Sequence, residues 1–268
     1  MFPNVISNPS KAVSIGCLSF LLVACGGGSD NTGDSIAIND STSSAVQEQE
    51  TIPTEEETPP KTVWIEGSAV KGVISNGRIT VAHPTGNDSW LEIVDGVRTD
   101  ARGRFRIAVP ERHAGQELRI ELKSDSATQM RCDVRPVCST SGGGSVGFGE
   151  LFWPGNDLTL TTIVMPSENP AKPAVLTPLG TIAYELASQG GVADWSGYQR
   201  ALADMETKFG LAEGVLGQTQ LDLSSEINAT SDPDVFMSSL VNVGFLALVE
   251  DDRWNTLGEV ISRVNETI

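Results

Sequence analysis

The chain has 268 residues, with 18 basic against 35 acidic side chains and a net charge of −17. That balance excludes nucleic acid and bare anionic membrane as electrostatic partners. The length permits one or two domains.

The chain opens with the pattern of an export signal. Lys11 is the only charge before residue 30, and the run from Ala12 to Ala24 is mostly apolar. That is about the length of a signal-peptide core and too short to span a bilayer comfortably. The run ends in Leu22-Val23-Ala24-Cys25, followed by Gly26-Gly27-Gly28-Ser29. These residues resemble the lipobox of bacterial lipoproteins. The resemblance implies that residues 1–24 are a lipoprotein signal peptide and that Cys25 becomes the lipidated N-terminus. It also implies a diacylglyceryl thioether on Cys25 and, in many bacteria, an acylated amino group. Several acyl chains anchor stably where one does not. A transmembrane anchor and a signal cut without lipidation are the competing readings. The shortness of the run opposes the first, and the cysteine at its end opposes the second. Gly26 stands where Asp would imply inner-membrane retention, so the resemblance implies a lipid-anchored outer-membrane protein. Whether it faces the periplasm or the cell surface stays open.

From Cys25 to Thr62 the sequence reads as a disordered acidic tether. Between Gly26 and Pro60 there are eight acidic residues and no Lys or Arg, which leaves −9 of the −17 to the rest of the chain. The composition is Gly, Ser, Thr, Asn, Asp, Glu and Pro with too little apolar surface to offset the entropy of ordering. About 35 such residues span on the order of 30 Å as a random coil, and more if their charges extend them. The run is a solvated linker rather than a binding tail on this reading.

From Val63 to Pro166 a β-rich domain is expected. Candidate strands are Val63 to Glu66, Arg78 to His83, Trp90 to Val94, Arg104 to Val109, Glu117 to Leu122 and Leu158 to Met165. Arg104 to Val109 and Glu117 to Leu122 alternate polar and apolar, as half-buried antiparallel strands do. Asn76-Gly77 and Asp95-Gly96 are hairpin or turn signals. Short strands at this spacing predict a small antiparallel β-sandwich or barrel. Val70-Lys71-Gly72-Val73-Ile74, Gly77-Arg78-Ile79-Thr80-Val81 and Thr99-Asp100-Ala101-Arg102-Gly103-Arg104-Phe105 resemble carboxypeptidase-regulatory-like (prealbumin-like) modules. The likeness covers Gly67 to Leu122. It implies a non-catalytic β-sandwich used as a spacer or binding module. Trp90 to Val94 departs from the pattern as an inserted hairpin.

Of four cysteines, Cys17 leaves with the signal and Cys25 takes the lipid. Cys132 and Cys138 then form an even pair in an exported chain, and a disulfide is expected. It would stiffen a small loop beside the Gly-rich run Ser141 to Gly149. The stretch from this pair to Thr177-Pro178-Leu179 is similar to that of proteobacterial surface lipoproteins, a likeness that implies no activity.

Residues 167–268 are expected to be helical. Thr177 and Pro178 are an N-cap and first-turn pair, with Leu179, Ile182, Ala183 and Leu186 on one face. A second helix runs from about Ser196 to Phe209 with Gly210 as C-cap. A third starts at Ser231-Asp232-Pro233 and runs to about Glu250. A fourth follows from Asp252 with Trp254, Leu257, Ile261 and Val264 on its stripe. The expected fold is therefore α+β: a small antiparallel β-sandwich followed by a C-terminal bundle of about four helices.

No catalytic constellation is legible. His83 and His113, the only histidines, read as surface loop residues, so no histidine relay is expected. Their spacing from Cys132 and Cys138 matches no compact zinc motif, and no metal ligand or cofactor is assigned. No phosphate-binding loop or dinucleotide fingerprint is present. Three functions remain. The first is a non-enzymatic, lipid-anchored envelope module that binds or scaffolds an envelope protein or glycan. The second is a surface adhesin or carbohydrate-binding module, with Trp90, Trp153 and Trp195 stacking on sugar rings. The third is an envelope hydrolase using paired carboxylates, which requires two buried acids converging in a cleft.

Overall fold

Strand alternation sets the architecture of the folded part. The structure is a computed structural model, and it describes residues 61–86, 89–141, 143–167, 172–225, 231–250 and 254–267. The expected signal peptide, Cys25 and residues 26–60 of the tether lie outside the described residues. Thr62, read as the end of the tether, instead opens strand β1 (Thr62–Ala69), where Val63 and Ile65 point inward and Trp64 and Glu66 outward. Strands β2 (Ile74–Ser75), β3 (Arg78–Pro84), β4 (Trp90–Arg98) and β5 (Arg104–Pro110) follow. Then come β6 (Leu118–Lys123), β7 (Gln129–Arg131), β8 (Val137–Ser139), β9 (Ser145–Gly147), β10 (Leu151–Phe152), β11 (Thr159–Val164) and β12 (Ala174–Leu176).

Two sheets make the main layers, ordered β12-β1-β5 and β11-β6-β3-β4. Val63, Ile65, Phe105 and Ile107 of the first and Ile79, Val81, Ile120 and Leu122 of the second share one buried cluster. The arrangement is sandwich-like, and nearly every strand pair is antiparallel. The exception is β12, which runs parallel to β1 with Ala174 opposite Gly67 and Leu176 opposite Ala69. A small sheet β10-β7-β2 and the hairpin β8-β9 complete the β region. Part of the expected Gly-rich loop is thus strand β9.

The Thr99-to-Phe105 stretch is a structural turn. Thr99 Oγ1 accepts from Gly77 N–H at 2.9 Å and donates to the Ile74 carbonyl at 2.7 Å. Asp100 Oδ1 accepts from the backbone N–H groups of Arg102 and Arg104, both at 2.8 Å. Gly103 sits at φ +72°, and a Cβ there would meet the Ala69 carbonyl at 2.6 Å, so glycine is required. Phe105 then enters the core, 5% exposed. Asp95-Gly96, read as a turn, lies inside β4. The pairing slips between Ile79↔Val97 and Thr80↔Asp95, so Gly96 at φ +84° marks a β-bulge.

Four helices follow, as expected: α1 (Pro178–Ser188), α2 (Trp195–Phe209), α3 (Pro233–Ala247) and α4 (Leu257–Thr267). Thr177 Oγ1 accepts from Gly180 N–H at 3.1 Å and caps α1. Asp194 caps α2, which Gly210 closes in the left-handed conformation. Asp232 caps α3, and a 3₁₀ turn at Leu248–Glu250 extends it. The start of α4 lies later than Asp252. Thr256 Oγ1 accepts from Glu259 N–H at 3.2 Å, and Glu259 Oε2 accepts from Asn255 N–H at 2.7 Å. Thr256 thus caps the helix and fixes its start, while Glu259 reaches back one residue beyond the cap, to Asn255, in a variant of the Thr-x-x-Glu capping box.

The helices do not stand apart from the sandwich. Leu179, Ile182 and Ala183 of α1 belong to the same cluster as the sheet residues. Thr161 N–H of β11 donates to Thr181 Oγ1 of α1 at 3.0 Å. Leu179 N–H donates to Asn242 Oδ1 of α3 at 3.2 Å. The expected boundary at residue 166 therefore falls within a continuous core, and the described residues belong to one compact unit. No described helix is long and apolar enough to cross a membrane.

Candidate binding cleft

Strand β11 is an edge strand, and α2 packs beside it because its own stripe is apolar. Tyr198, Ala201, Leu202 and Met205 recur on one face and are buried. The two elements do not close completely. A cavity of about 570 Å³ remains between them, lined by Thr162, Val164, Met165, Trp195, Gln199 and Leu202 among others. That volume falls within the range of small-molecule sites. Its rim is polar, with Lys172 and Glu213 bordering it.

Polar contacts hold the walls. Tyr198 is 3% exposed, and its hydroxyl lies 3.0 Å from Thr162 Oγ1, bridging helix and strand. Burial pushes the Tyr198 phenol up to about 12, against the opposing pull of the Thr162 hydrogen bond. Glu206 is 4% exposed and accepts from Gly214 N–H at 2.8 Å and Leu216 N–H at 2.9 Å. It folds the following loop back over the cleft. Asp194 sets the first turn of α2, where Trp195 stands half-buried at the cavity wall.

The tryptophans named from sequence are separated. Trp195 lines the cavity beside β11. Trp90 opens β4, the opposite edge of that sheet, and lies under the Arg119 guanidinium at 5.2 Å. Trp153 is 43% exposed and donates its indole N–H to the Asp125 carbonyl at 3.1 Å. Cys132 and Cys138 are joined as a disulfide with Cα atoms 5.7 Å apart. Cys25 lies outside the described residues.

The histidines need a correction. His113 is 5% exposed and His83 lies in β3, so neither is a surface loop residue. Their rings pack with centroids 5.1 Å apart. His113 Nδ1 lies 2.9 Å from Gln116 Oε1. Position beside Pro84 and within the Pro110-to-Gly115 turn hid this packing, because burial of a turn residue is set by a distant strand.

Among the described residues, two acids are buried: Asp133 and Glu206. Asp133 meets Lys71 Nζ at 2.8 Å, while Glu206 holds backbone N–H groups. No group of three or more His, Cys, Asp or Glu among the described residues is placed to hold a metal ion. Sequence reasoning missed both the cleft and the Lys71–Asp133 pair. No family model matches the sequence, and no curated protein matches it.

Proposed function

We propose that the protein is a lipid-anchored component of the bacterial cell envelope that acts without catalysis, as a binding or scaffolding module. The observation that carries the binding part is the cleft between β11 and α2, which combines an apolar wall, a half-buried Trp195 and a polar rim. The lipobox-like stretch ending in Cys25 supports the anchor and an outer-membrane location. The likeness of the Gly67-to-Leu122 region to prealbumin-like modules supports the same role. Its partner is an envelope protein or glycan, met at the end of an acidic tether.

In-cell photocrosslinking tests this reading. A benzophenone amino acid at Gln199, which lines the cleft, is expected to capture a discrete partner. The same group at Arg200, exposed on α2, is expected to capture none. Equal capture from both positions, or none from either, contradicts a binding cleft.

A second reading is carbohydrate binding, favoured by Trp195 beside Gln199 in that cavity. Titration with solubilised peptidoglycan fragments is then expected to give a saturable fluorescence change that Trp195→Ala abolishes.

A further inference from the structure

Lys71 occupies a place where lysine is normally solvated. It is the first residue of the turn Lys71-Gly72, flanked by Val70 and Val73 in a β-bridge. Turn lysines ordinarily hold their ammonium in water. Here the Lys71 side chain is 0% exposed and that of its partner Asp133 is 2% exposed. Lys71 Nζ lies 2.8 Å from Asp133 Oδ1, across a sequence separation of 62.

The backbone fixes this meeting from both sides. Arg131 N–H donates to the Val73 carbonyl at 3.0 Å, which sets the turn against the end of β7. Gly72 sits at φ +59°, and a Cβ there would lie 1.9 Å from the Arg131 carbonyl oxygen, so the turn presses directly on that strand. On the other side, the Cys132–Cys138 disulfide begins at the residue before Asp133.

An ammonium carries three N–H donors. Among the described residues, Asp133 Oδ1 is the acceptor that meets them. Ionised groups enclosed this way are costly, and the attraction between them offsets the cost only with further hydrogen bonds. Burial pulls the Lys71 amine down from its usual range, although the Asp133 carboxylate pulls it the other way. Passing one proton along the existing hydrogen bond gives an amine facing a carboxylic acid. These are a nucleophile and an electrophile held in hydrogen-bond contact and shielded from bulk solvent.

We infer that Lys71 and Asp133 condense to an intramolecular amide that joins the turn after β1 to the chain just beyond β7. The Nζ–Cγ bond forms and one Cγ–oxygen bond breaks. The second amine proton leaves with the departing hydroxyl as one water, and no oxidant, reductant or activating group is consumed. Asp133 also borders a groove lined by Phe148, Phe236 and Leu240, which gives the water a way out. Holding the two groups together lowers the barrier to their reaction, and effective molarities of about 10⁵–10⁸ M are reached where intramolecular groups are well aligned. The product replaces two enclosed charges by one amide. It also closes a covalent ring from residue 71 to residue 133 that takes in β2 to β7, far larger than the ring closed by the disulfide.

Peptide mapping of the full chain tests this. The protein is denatured, reduced, alkylated and digested with trypsin and a glutamate-specific protease. The amide predicts residues 67–78 joined to residues 132–150, one water lighter than the two peptides together, with no cleavage after Lys71. Lys71→Arg, which keeps the cation without its nucleophile, is expected to be cut after residue 71 and to yield residues 67–71, 72–78 and 132–150 unjoined. Recovery of residues 67–71 and 72–78 as separate peptides from the unaltered protein overturns the inference and leaves an ion pair. The unaltered protein alone decides, so the test survives a variant that fails to fold.

Discussion

At the scale of single residues, Tyr198 carries the join between α2 and β11. Among the described residues its hydroxyl meets one hydrogen-bond partner, Thr162, and it sees almost no solvent. Tyr198→Phe is expected to cost about 1 kcal/mol in urea denaturation, the usual worth of one internal hydrogen bond. The chain has two tyrosines, so an ultraviolet pH titration can follow this one directly. The phenol's pKa is raised on folding, so its stability contribution is complete below about pH 10 and is lost as pH rises through about 12. A phenolate step near pH 12 that Tyr198→Phe removes is the expected result; a step near pH 10 in the folded protein contradicts the buried placement.

Acid acts in the opposite sense. The Arg98 guanidinium, then the Ala127 N–H, hold the Asp125 carboxyl far below the usual range. The Gly197 N–H and the Ser196 hydroxyl lower Asp194. A lowered carboxylate contributes stability above its unfolded value of about 3.9, and that stability is lost as pH falls through the folded value. Stability is therefore expected to drop below about pH 4. Asp125→Asn should flatten that slope by no more than about 1 kcal/mol, because the pair is partly exposed and screened. An unchanged slope in acid unfolding would show that Asp125 adds nothing.

At the scale of elements, capping chemistry decides where helices begin. Thr256→Ala removes the hydroxyl that receives Glu259 N–H and is expected to cost about 1 kcal/mol. Hydrogen exchange in the first turn of α4 reads this out; unchanged protection there contradicts the cap. The same chemistry explains what was legible in the sequence. Thr177-Pro178 marked α1 correctly, because an N-cap and a first-turn proline act through immediate neighbours. Thr256 and Glu259 carried an equally local signal for α4, but the apolar stripe through Trp254 drew the expected start to Asp252. Strands such as Arg104 to Val109 were readable because alternation over six residues is visible. Strands β2, β7 and β10 span two or three residues, too few for a period to show. Strand β12 is three buried residues paired in parallel with β1, and a long-range partner has no local signature.

At the scale of the whole molecule, the α+β order of a sandwich followed by helices was legible, and the continuity between them was not. Helical stripes showed that α1 and α2 bury one face without showing that β11 lies beneath it. For the same reason the cleft was invisible: Met165 and Trp195 are 30 residues apart and meet through packing alone. Nothing local in the sequence pairs Lys71 with Asp133; the fold alone brings them together across 62 residues.

The anchor is the claim on which the envelope role depends, and Cys25→Ala tests it most directly. Membranes and soluble fractions of cells expressing each form are compared, with and without a block of lipoprotein signal processing, and intact cells are treated with proteinase. The unaltered protein is expected in the membrane fraction at its processed size. Cys25→Ala is expected to lose both processing and membrane retention through the lipid, and the processing block is expected to leave the unaltered protein at its larger size. Shaving of the unaltered protein from intact cells would place it on the surface, and protection would place it in the periplasm. If Cys25→Ala changes neither size nor membrane association, the lipid anchor is wrong, and the envelope role proposed for this fold falls with it.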